Sequence, residues 1–313
     1  MREKDKTRAK ALDDTLLAFA ANERPLPGIT NEVERQVFVE QLIESQRRVE
    51  YIATIRNRDI SPSRIDPMNP NFDPIRAAIW FMREGDIDEA CWLVFLFVHF
   101  GKNLKGGWRL IRDIYGSMGG NQLLNWERIS NDPQGFRHWL AEHVDQMKND
   151  GVVRGFGNHR KYESLDPWKP AGTGAVVQSY VEWTGTTHSH QQLFDIAYEE
   201  TAGDPRLAFD WLYKSMNPVM RFGRTARFDY LTMLGKLGLA NVEPGSTYMN
   251  GATGPFSGAS LLFCEPTAGT LPRKALDGYA IALGDQLNVN MQVMEDALCN
   301  WQKSPNDFKA FRG

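Results

Sequence analysis

The sequence predicts an all-α protein, and three observations support this fold class. Apolar residues recur at helical spacing along most of the 313-residue chain, as Val37, Leu42 and Val49 do in one segment. The alternating pattern of a half-buried strand is almost absent. Helix-capping residues stand before several periodic segments, for example Asn31, which is followed three residues later by Glu34.

The first half of the chain contains six predicted helices, at residues 8–21, 31–57, 74–83, 86–100, 105–115 and 133–147. Asp73 and Pro74 begin the third helix. Asp86 caps the fourth helix, with Glu89 at the reciprocal position of a capping box. Because this fourth helix is apolar on all sides, we expect it to run through the core. The segment before the third helix is proline-rich and is expected to be a loop.

Helical periodicity disappears between residues 149 and 173, where Gly, Pro and Trp cluster, so the main joint is expected there. Further helices are predicted at residues 174–183, 189–202, 205–216, 219–237, 272–287 and 290–303, with a short apolar segment at 259–263. The expected organisation is an N-terminal helical arm (1–24), a first helical lobe (25–150) and a second helical lobe (151–313). The second lobe would carry hairpin-like elements and the functional site.

Composition limits the class of protein. A net charge of −3 argues against a protein coated in positive charge, although a basic groove can exist locally on a neutral protein. The three cysteines lie far apart in the sequence and are interpreted as reduced thiols of a cytoplasmic protein. The charged N-terminal residues and the shortness of every apolar run predict neither a secretory signal nor a membrane span.

Charged residues in segment 221–238 stand where a helix projection places apolar ones. Arg224 and Arg227 fall outside the polar strip and among leucines. Because a guanidinium keeps its proton, each arginine needs an anion nearby. A carboxylate of the protein and a phosphate of a ligand are both open alternatives at this point. The polar strip itself is predicted to hold Arg221, Thr225, Asp229 and Lys236.

A second candidate is the loop 154–164, where Gly155 and Gly157 permit close backbone approach. Hydrogen-bond donors follow them, which suits an anion, although an ordinary solvated loop is the alternative. These donors are Asn158, His159, Arg160, Lys161 and Tyr162.

The last predicted helix is amphipathic, and Asp296 on its polar face is a candidate general base or amine-orienting group. A solvated helix face is the alternative. Two helix–turn elements, at 234–239 and 253–262, suit a backbone phosphate, although Gly238 equally suits a helix C-cap. His188 and His190, at i and i+2, are a poor metal signature because no cysteine or carboxylate is near them in sequence.

Taken together, segments 158–164, 221–238, 251–255 and 291–304 resemble the alpha-glutamyl/putrescinyl thymine pyrophosphorylase family, clade 3, whose members are also described as amino acid:DNA transferases. The resemblance extends from about Pro25 to the C-terminus. It implies a helical fold related to helix-hairpin-helix DNA glycosylases. It also implies bacteriophage-type DNA hypermodification in the cytoplasm of a bacterial host. The enzyme would displace phosphate or pyrophosphate from activated 5-hydroxymethyluracil in DNA with the amine of an amino acid or polyamine.

This chemistry gives roles to the candidate residues. The residues expected to bind phosphate or DNA are Asn158, Arg160, Lys161, Arg221, Arg224, Arg227, Lys236 and Lys303. The candidates for the base that removes a proton from the incoming amine are Asp296, Glu295, His159 and Glu163. Tyr162 and Trp168 are candidates for stacking on a flipped base. No cofactor is predicted, and a divalent metal is not excluded. The alternatives are a non-catalytic DNA-binding or scaffold protein and a glycosylase-like enzyme, for which Asp277 and Asp285 would be the candidate aspartates.

Overall fold

A computed structural model describes residues 3–265, 267 and 269–310 of the chain. The regular structure of these residues is helical apart from one isolated bridge between Asn103 and Gly107. The all-α prediction is therefore confirmed. The helices are α1 (Glu3–Asn22), α2 (Glu32–Arg56), α3 (Pro74–Arg83), α4 (Ile87–Phe100), α5 (Arg109–Tyr115), α6 (Trp126–Asn131), α7 (Pro133–Asn149), α8 (Thr173–Trp183), α9 (His190–Glu200), α10 (Pro205–Ser215), α11 (Arg224–Leu237), α12 (Gly254–Phe263), α13 (Arg273–Leu287) and α14 (Met291–Trp301).

The predicted caps explain why several helices begin where they do. Asn31 Oδ1 accepts the amide of Glu34 at 2.9 Å, and Glu34 returns to the Asn31 amide at 3.4 Å, which confirms this capping box. Asp73 accepts two amide hydrogen bonds of α3. Sequence reasoning missed α6, because a helix of six residues is too short to display a periodic pattern.

Two predictions about helix starts were wrong. α11 begins at Arg224 and not at residue 219, because Arg221 has a φ of 61° and interrupts any helix there. Asp86 caps α4 as predicted, since its carboxylate accepts the Glu89 amide at 3.0 Å, but Glu89 does not complete the reciprocal half of the capping box. Its buried carboxylate instead accepts the Tyr115 hydroxyl at 2.5 Å and the Trp126 amide at 2.6 Å, which ties α5 and α6 to α4.

The chain forms two compact units whose limits differ from those of the predicted lobes. Unit 1 comprises residues Met1–Thr54 and Glu243–Gly313, and unit 2 comprises Ile55–Val242. The Gly-, Pro- and Trp-rich segment 149–173, expected as the main joint, lies within unit 2. Sequence cannot show that the two chain ends share a unit, because such pairing depends on contacts between distant residues.

Unit 1 has its own apolar core, formed by α1, α2, α12, α13 and α14. Leu12 and Leu16 of α1, in the segment expected as an arm, are buried in this core. Helices α12 and α14 approach each other closely at Gly258, where an added Cβ would stand 2.2 Å from the Leu298 carbonyl oxygen. Gly258 is therefore required by helix packing.

Unit 2 is built around α4, which is buried on nearly every side, as predicted. Helices α3, α5, α6, α9 and α11 contact it. Its aromatic side chains form a continuous stacked group; the Phe95 and Tyr180 rings, for instance, lie 3.9 Å apart between centroids. Among the described residues, no helix is both long enough and apolar enough to span a membrane.

Candidate functional site

The structure brings together two segments of unit 2 that the sequence analysis singled out separately. Arg160, in the loop, lies 3.0 Å from the carboxylate of Asp229 on α11. Arg221, just before α11, binds both carboxylate oxygens of Glu163 in the loop at 3.1 Å. We call these residues, with Arg224 and Arg227, the α11 cluster.

Arg160 and Arg221 keep unused donors despite their ion pairs. Arg160 also donates from Nε to the Val98 carbonyl at 2.7 Å, and Arg221 donates from Nη2 to the Tyr162 carbonyl at 3.2 Å. The Nη1 atom of each guanidinium has no hydrogen-bond partner among the described residues. Because a guanidinium has five N–H donors, each of these arginines can bind a further anion.

Arg227 is half-buried against aromatic side chains, much as the helix projection predicted. Its guanidinium carbon lies 4.3 Å from the centre of the Tyr213 ring. Its Nη1 donates to the Tyr213 carbonyl and to Asn217 Oδ1, both neutral acceptors, and its buried Nε has no partner. No carboxylate of the described residues lies within ion-pair distance of Arg227. Arg227 therefore has only neutral partners among the described residues.

Arg224 and the start of α11 add positive potential to the cluster. The Arg224 guanidinium lies 4.7 Å from the centre of the Phe228 ring. Gly223 occupies the N-cap position and supplies no side-chain acceptor, so the first amides of this helix have no side-chain cap. The helix dipole favours an anion at this uncapped end.

The charges of the α11 cluster act on two neighbouring titratable groups. Burial, together with the charges of Arg160 and Arg221, lowers the pKa of His99 to about 3, so this buried imidazole is neutral. Burial raises the pKa of Asp229, against the effect of four cationic side chains, namely Arg160, Arg224, Lys236 and His159. Asp229 is held in place by its ion pair with Arg160.

The glycines of the loop serve packing. An added Cβ on Gly157 would stand 3.0 Å from the Gly101 backbone, and one on Gly155 would stand 2.7 Å from Asn103 Nδ2. The Gly157 amide donates to the Phe100 carbonyl at 2.7 Å. The close backbone approach predicted for these glycines is thus made to the protein's own segment 100–103, which fixes the base of the loop.

The other loop residues differ in their exposure. Asn158, His159 and Lys161 are exposed, and Asn158–Arg160 forms a single 3-10 turn. Tyr162 is 79% exposed, with the Lys161 ammonium 5.0 Å from its ring centre. Trp168 is more constrained, because the Arg137 guanidinium lies 5.0 Å from its ring centre and His138 packs edge-on against it.

Three predicted residues belong to unit 1 and form a separate group. The Asp296 carboxylate accepts hydrogen bonds from Ser45 at 2.7 Å, Arg48 at 3.1 Å and Asn300 at 2.9 Å. Lys303 donates to Asn300 at 2.8 Å. Glu295 is half-buried beside this network. Asp296 is therefore held by three donors, which weakens the case for it as a base.

The helix–turn element at 234–239 has a structural explanation. Gly238 ends α11 in the left-handed conformation with φ 77°, and its amide and that of Leu239 close the helix end, so the C-cap interpretation is confirmed. Lys236, in the last turn of α11, is half-buried. In unit 1, Asp277, a candidate for base excision, binds the amide and hydroxyl of buried Thr247.

His190 belongs to a buried network and not to a surface loop. Its Nδ1 lies 2.8 Å from Asp88 Oδ1, and its Nε2 lies 2.6 Å from the Tyr180 hydroxyl. Tyr180 contacts the Tyr230 hydroxyl at 2.7 Å. Burial raises the pKa of both tyrosines and lowers that of His190, so all three are neutral. This network joins α4, α8, α9 and α11.

Sequence reasoning missed one charged region, a cavity of about 600 Å³ in unit 2. We call it the α5 cleft. Its lining contains a single carboxylate, Asp73, and six cationic side chains, namely Arg64, Arg76, Lys102, Lys105, Arg109 and Arg112. The only sequence signal was the spacing of basic residues between 102 and 112, which a helix pattern alone does not distinguish from a solvated face.

Comparison with known proteins gives one informative result. No curated protein and no solved structure is significantly similar to the chain. The relation to helix-hairpin-helix glycosylases therefore stays a prediction. One family model matches residues 33–313, which is most of the chain and includes the α11 cluster, the α5 cleft and α14. The chain belongs to the alpha-glutamyl/putrescinyl thymine pyrophosphorylase clade 3 family.

Proposed function

We propose that this protein is a DNA-modifying transferase that replaces the pyrophosphate of an activated 5-hydroxymethyluracil with the amine of an amino acid or polyamine. The family name refers to thymine, to pyrophosphate and to glutamyl and putrescinyl groups. The observation that carries the proposal is the meeting of loop 158–164 with α11 and the residues just before it, where Asp229 binds Arg160 and Glu163 binds Arg221.

The reaction is a substitution at the exocyclic methylene carbon of the base. The amine nitrogen forms a C–N bond with that carbon, and the C–O bond to the pyrophosphate breaks. The electron pair of the broken bond leaves with the pyrophosphate, and the amine loses one proton to a base. Positive groups that meet the developing negative charge of the leaving group lower the barrier.

The α11 cluster supplies these positive groups. Arg227 has no carboxylate partner among the described residues, and Arg160 and Arg221 each keep an unused Nη1. Glu163 and Asp229 hold two of the guanidiniums in place without occupying all their donors. Arg224 and the first amides of α11 would extend the site toward the second phosphate. Asn158, Lys161 and Lys236 are proposed to contact the same charge.

His159 is the base that we propose. It is exposed on the loop, and its charge acts on Asp229, so it lies beside the ion pair of Asp229 with Arg160. An imidazole is suited to accept a proton near neutral pH. Glu163 and Asp296 are weaker choices because arginines already bind their carboxylates. Exposed Tyr162 would stack on the flipped base.

The test is incubation with duplex DNA carrying pyrophosphorylated 5-hydroxymethyluracil and either amino acids or putrescine, followed by digestion to nucleosides and mass spectrometry. We expect a new nucleoside whose mass corresponds to the attached amine, and release of pyrophosphate. His159→Ala and Arg227→Ala should lose product, whereas Arg128→Ala, an exposed arginine on α6, should not.

Other results would contradict the proposal. Release of a free base would identify a glycosylase, and a gel shift without any product would identify a binding protein. Product formation at the wild-type rate by both His159→Ala and Arg227→Ala would locate the active site elsewhere.

A further inference from the structure

The α5 cleft has an excess of positive charge that the protein does not neutralise. Arg76 is paired with Asp73 at 2.5 Å, and Arg109 is paired with Asp113 at 2.6 Å. Lys102, Lys105 and Arg112 form no ion pair and no side-chain hydrogen bond with any described residue. Cations gathered in one concave region repel each other unless an anion enters.

Arg112 is the clearest example of a cation in the α5 cleft without an ion-pair partner. It is half-buried on α5 and lines the cavity. The adjacent buried carboxylate, Asp113, is already bound by Arg109 at 2.6 Å and Arg154 at 2.5 Å. Burial and the charges of Arg109 and Arg154 lower the pKa of Arg112, and the charge of Asp113 opposes them without reversing the shift. A half-buried guanidinium whose nearest acid is shared by two other arginines is a site for a ligand anion.

A short, tightly held loop forms the rim of the cleft. Asn103 and Gly107 exchange two backbone hydrogen bonds of 3.1 and 3.0 Å, and Asn103 Oδ1 accepts the amides of Lys105 and Gly106 at 3.0 and 2.8 Å. Asn103 Nδ2 also donates to the Phe156 carbonyl at 3.1 Å. These bonds hold the loop in one conformation.

This loop presents an apolar side chain to solvent. Leu104 is 93% exposed, with Lys102 and Lys105 on either side of it in the sequence. Across the loop, Val153, which lines the same cavity, is 55% exposed. A single exposed leucine is ordinary, but a leucine at the tip of a fixed loop between two lysines is an arrangement that fits a base stack flanked by phosphates.

We infer that the α5 cleft binds the phosphodiester backbone of the DNA substrate and that Leu104 inserts into the base stack beside it. The inference rests on the proposed function for the identity of the polyanion. Lys102, Lys105 and Arg112 contact phosphates, Trp108 and Val153 form the apolar part of the wall, and Leu104 fills the space opened when a base leaves the stack. A small polyphosphate would use the charges and leave Leu104 without a role.

The test measures DNA binding without requiring transfer. The probe is a duplex with one 5-hydroxymethyluracil and an adjacent 2-aminopurine, titrated by fluorescence anisotropy at several salt concentrations. Lys102→Glu/Lys105→Glu should weaken binding about tenfold or more and reduce the salt dependence by about two released counterions. Lys148→Glu, an exposed lysine on α7, is the matched control and should bind like the wild type. The Lys102 ammonium lies 5.5 Å from the Trp108 ring centre, so substitution of Lys102 also removes this contact. Lys105→Glu alone is therefore the second variant, because it leaves the contact intact.

The insertion of Leu104 into the base stack is measured separately. Wild-type protein should raise 2-aminopurine fluorescence by unstacking the neighbouring base, and Leu104→Ala should abolish this rise while binding within about threefold of the wild type, because the phosphate contacts carry most of the affinity. Leu207→Ala, which removes a leucine that is 57% exposed on α10, should keep the rise.

Several results would overturn the inference. One is duplex binding by the lysine variants equal to that of Lys148→Glu; another is an unchanged fluorescence rise with Leu104→Ala. Loss of affinity for inorganic pyrophosphate alone, with duplex binding intact, would make the cleft a small-anion site. Failure of the proposed function is distinguishable, because a protein that binds duplex through the cleft but yields no transfer product contradicts only that function.

Discussion

The two cationic regions of unit 2 satisfy their charge in different ways. In the α11 cluster, carboxylates from distant segments hold Arg160 and Arg221. In the α5 cleft, Lys102, Lys105 and Arg112 have no such partners among the described residues. Carboxylates fix the position of a guanidinium, whereas unpaired cations give a general attraction for phosphate. The difference indicates a positioned site for one charged group in the cluster and a less selective surface for a polyanion in the cleft.

A buried titratable group lies close to each of the two regions, and burial shifts the pKa values of the two groups in opposite directions. His99, buried close to Arg160 and Arg221, is a base whose pKa is lowered to about 3. Glu89, which ties α5 to α4 through Tyr115, is an acid whose pKa is raised to about 7, mainly by burial. Each region is thus supported by a buried group that is kept neutral over part of the pH range.

The largest expected effect is on catalysis, at Arg227. Loss of a positive group that stabilises developing charge lowers the rate about 10²- to 10³-fold. Arg227→Ala should therefore reduce transfer by this factor, while Arg112→Ala should mainly weaken DNA binding. Single-turnover rates at saturating DNA separate the two effects. Equal loss of rate in both variants under saturation would remove the functional distinction between the regions.

The next largest expected effect is the loss of stability in acid that protonation of His99 causes. Its pKa in the folded protein, about 3, is below the ordinary 6.5, so its contribution to stability is present above pH 6.5 and is lost as the pH falls toward 3. Between pH 7 and 4 this loss is about 3 kcal/mol. His99→Gln, which can still donate to Thr173, should make urea-unfolding free energies less sensitive to acid in this range. An unchanged pH dependence would contradict the neutral assignment of His99.

The ionisation of Glu89 should make stability depend on pH in the opposite direction to that of His99. Its folded pKa of about 7 is above the ordinary 4.5, so its contribution to stability is present below pH 4.5 and is lost as the pH rises through 7. The difference across this window is about 3 kcal/mol. Glu89→Gln, measured by the same urea titrations, should be relatively more stable at pH 8 than at pH 4 when compared with the wild type. A constant difference at the two pH values would show that Glu89 ionises normally.

A smaller effect compares one arginine from each region. Arg160→Met removes hydrogen bonds to Asp229 and to the Val98 carbonyl, and should cost about 1 to 2 kcal/mol of unfolding free energy. Arg112→Met removes no hydrogen bond with a described residue, and the lost attraction to Asp113 is offset by the relieved repulsion from Arg109 and Arg154, so the unfolding free energy should change by less than about 0.5 kcal/mol. Both variants would be measured by thermal and urea unfolding. Equal destabilisation of Arg160→Met and Arg112→Met would contradict the difference in pairing between the two arginines.

The smallest expected effect is at the two aromatic candidates for base stacking. Tyr162→Ala should weaken binding to single-stranded or flipped-base DNA by about 1 kcal/mol, the lower end for one stacked base. Trp168→Ala should have less effect, because Arg137 and His138 already contact that ring. The DNA affinities of the two variants are compared by competition titrations against an abasic duplex. A larger loss with Trp168→Ala would assign the stacking role to the tryptophan.

Local features of this protein were predictable from its sequence. The all-α class, the capping box of Asn31 and Glu34, the buried α4 and the C-cap at Gly238 all depend on neighbours within about one or two helical turns. The half-buried state of Arg227 against apolar side chains also followed from helix periodicity. Arg224 and Arg227 were found as departures from the helical pattern, whereas His159 and Arg160 were found through the glycines and hydrogen-bond donors of their loop.

Contacts between distant residues were not predictable. Nothing in the sequence indicates that Glu163 meets Arg221 or that Arg160 meets Asp229, since these pairs are separated by 58 and 69 residues. Asp229 was recognised as part of a polar strip, without its partner. Glu89 fits a local capping pattern, yet its carboxylate turns toward Tyr115 and Trp126, because burying two unsatisfied donors in the core would cost more than losing a cap.

Sequence alone therefore determined the all-α class, most of the helices and several of their caps, because hydrogen bonding and apolar periodicity within a helix act over a few residues. The tertiary structure decided which arginines receive a carboxylate and which remain open to a ligand. It also placed residues 243–313 in a unit with residues 1–54. These outcomes depend on packing between segments far apart in the chain, where burial and charge pairing are settled together.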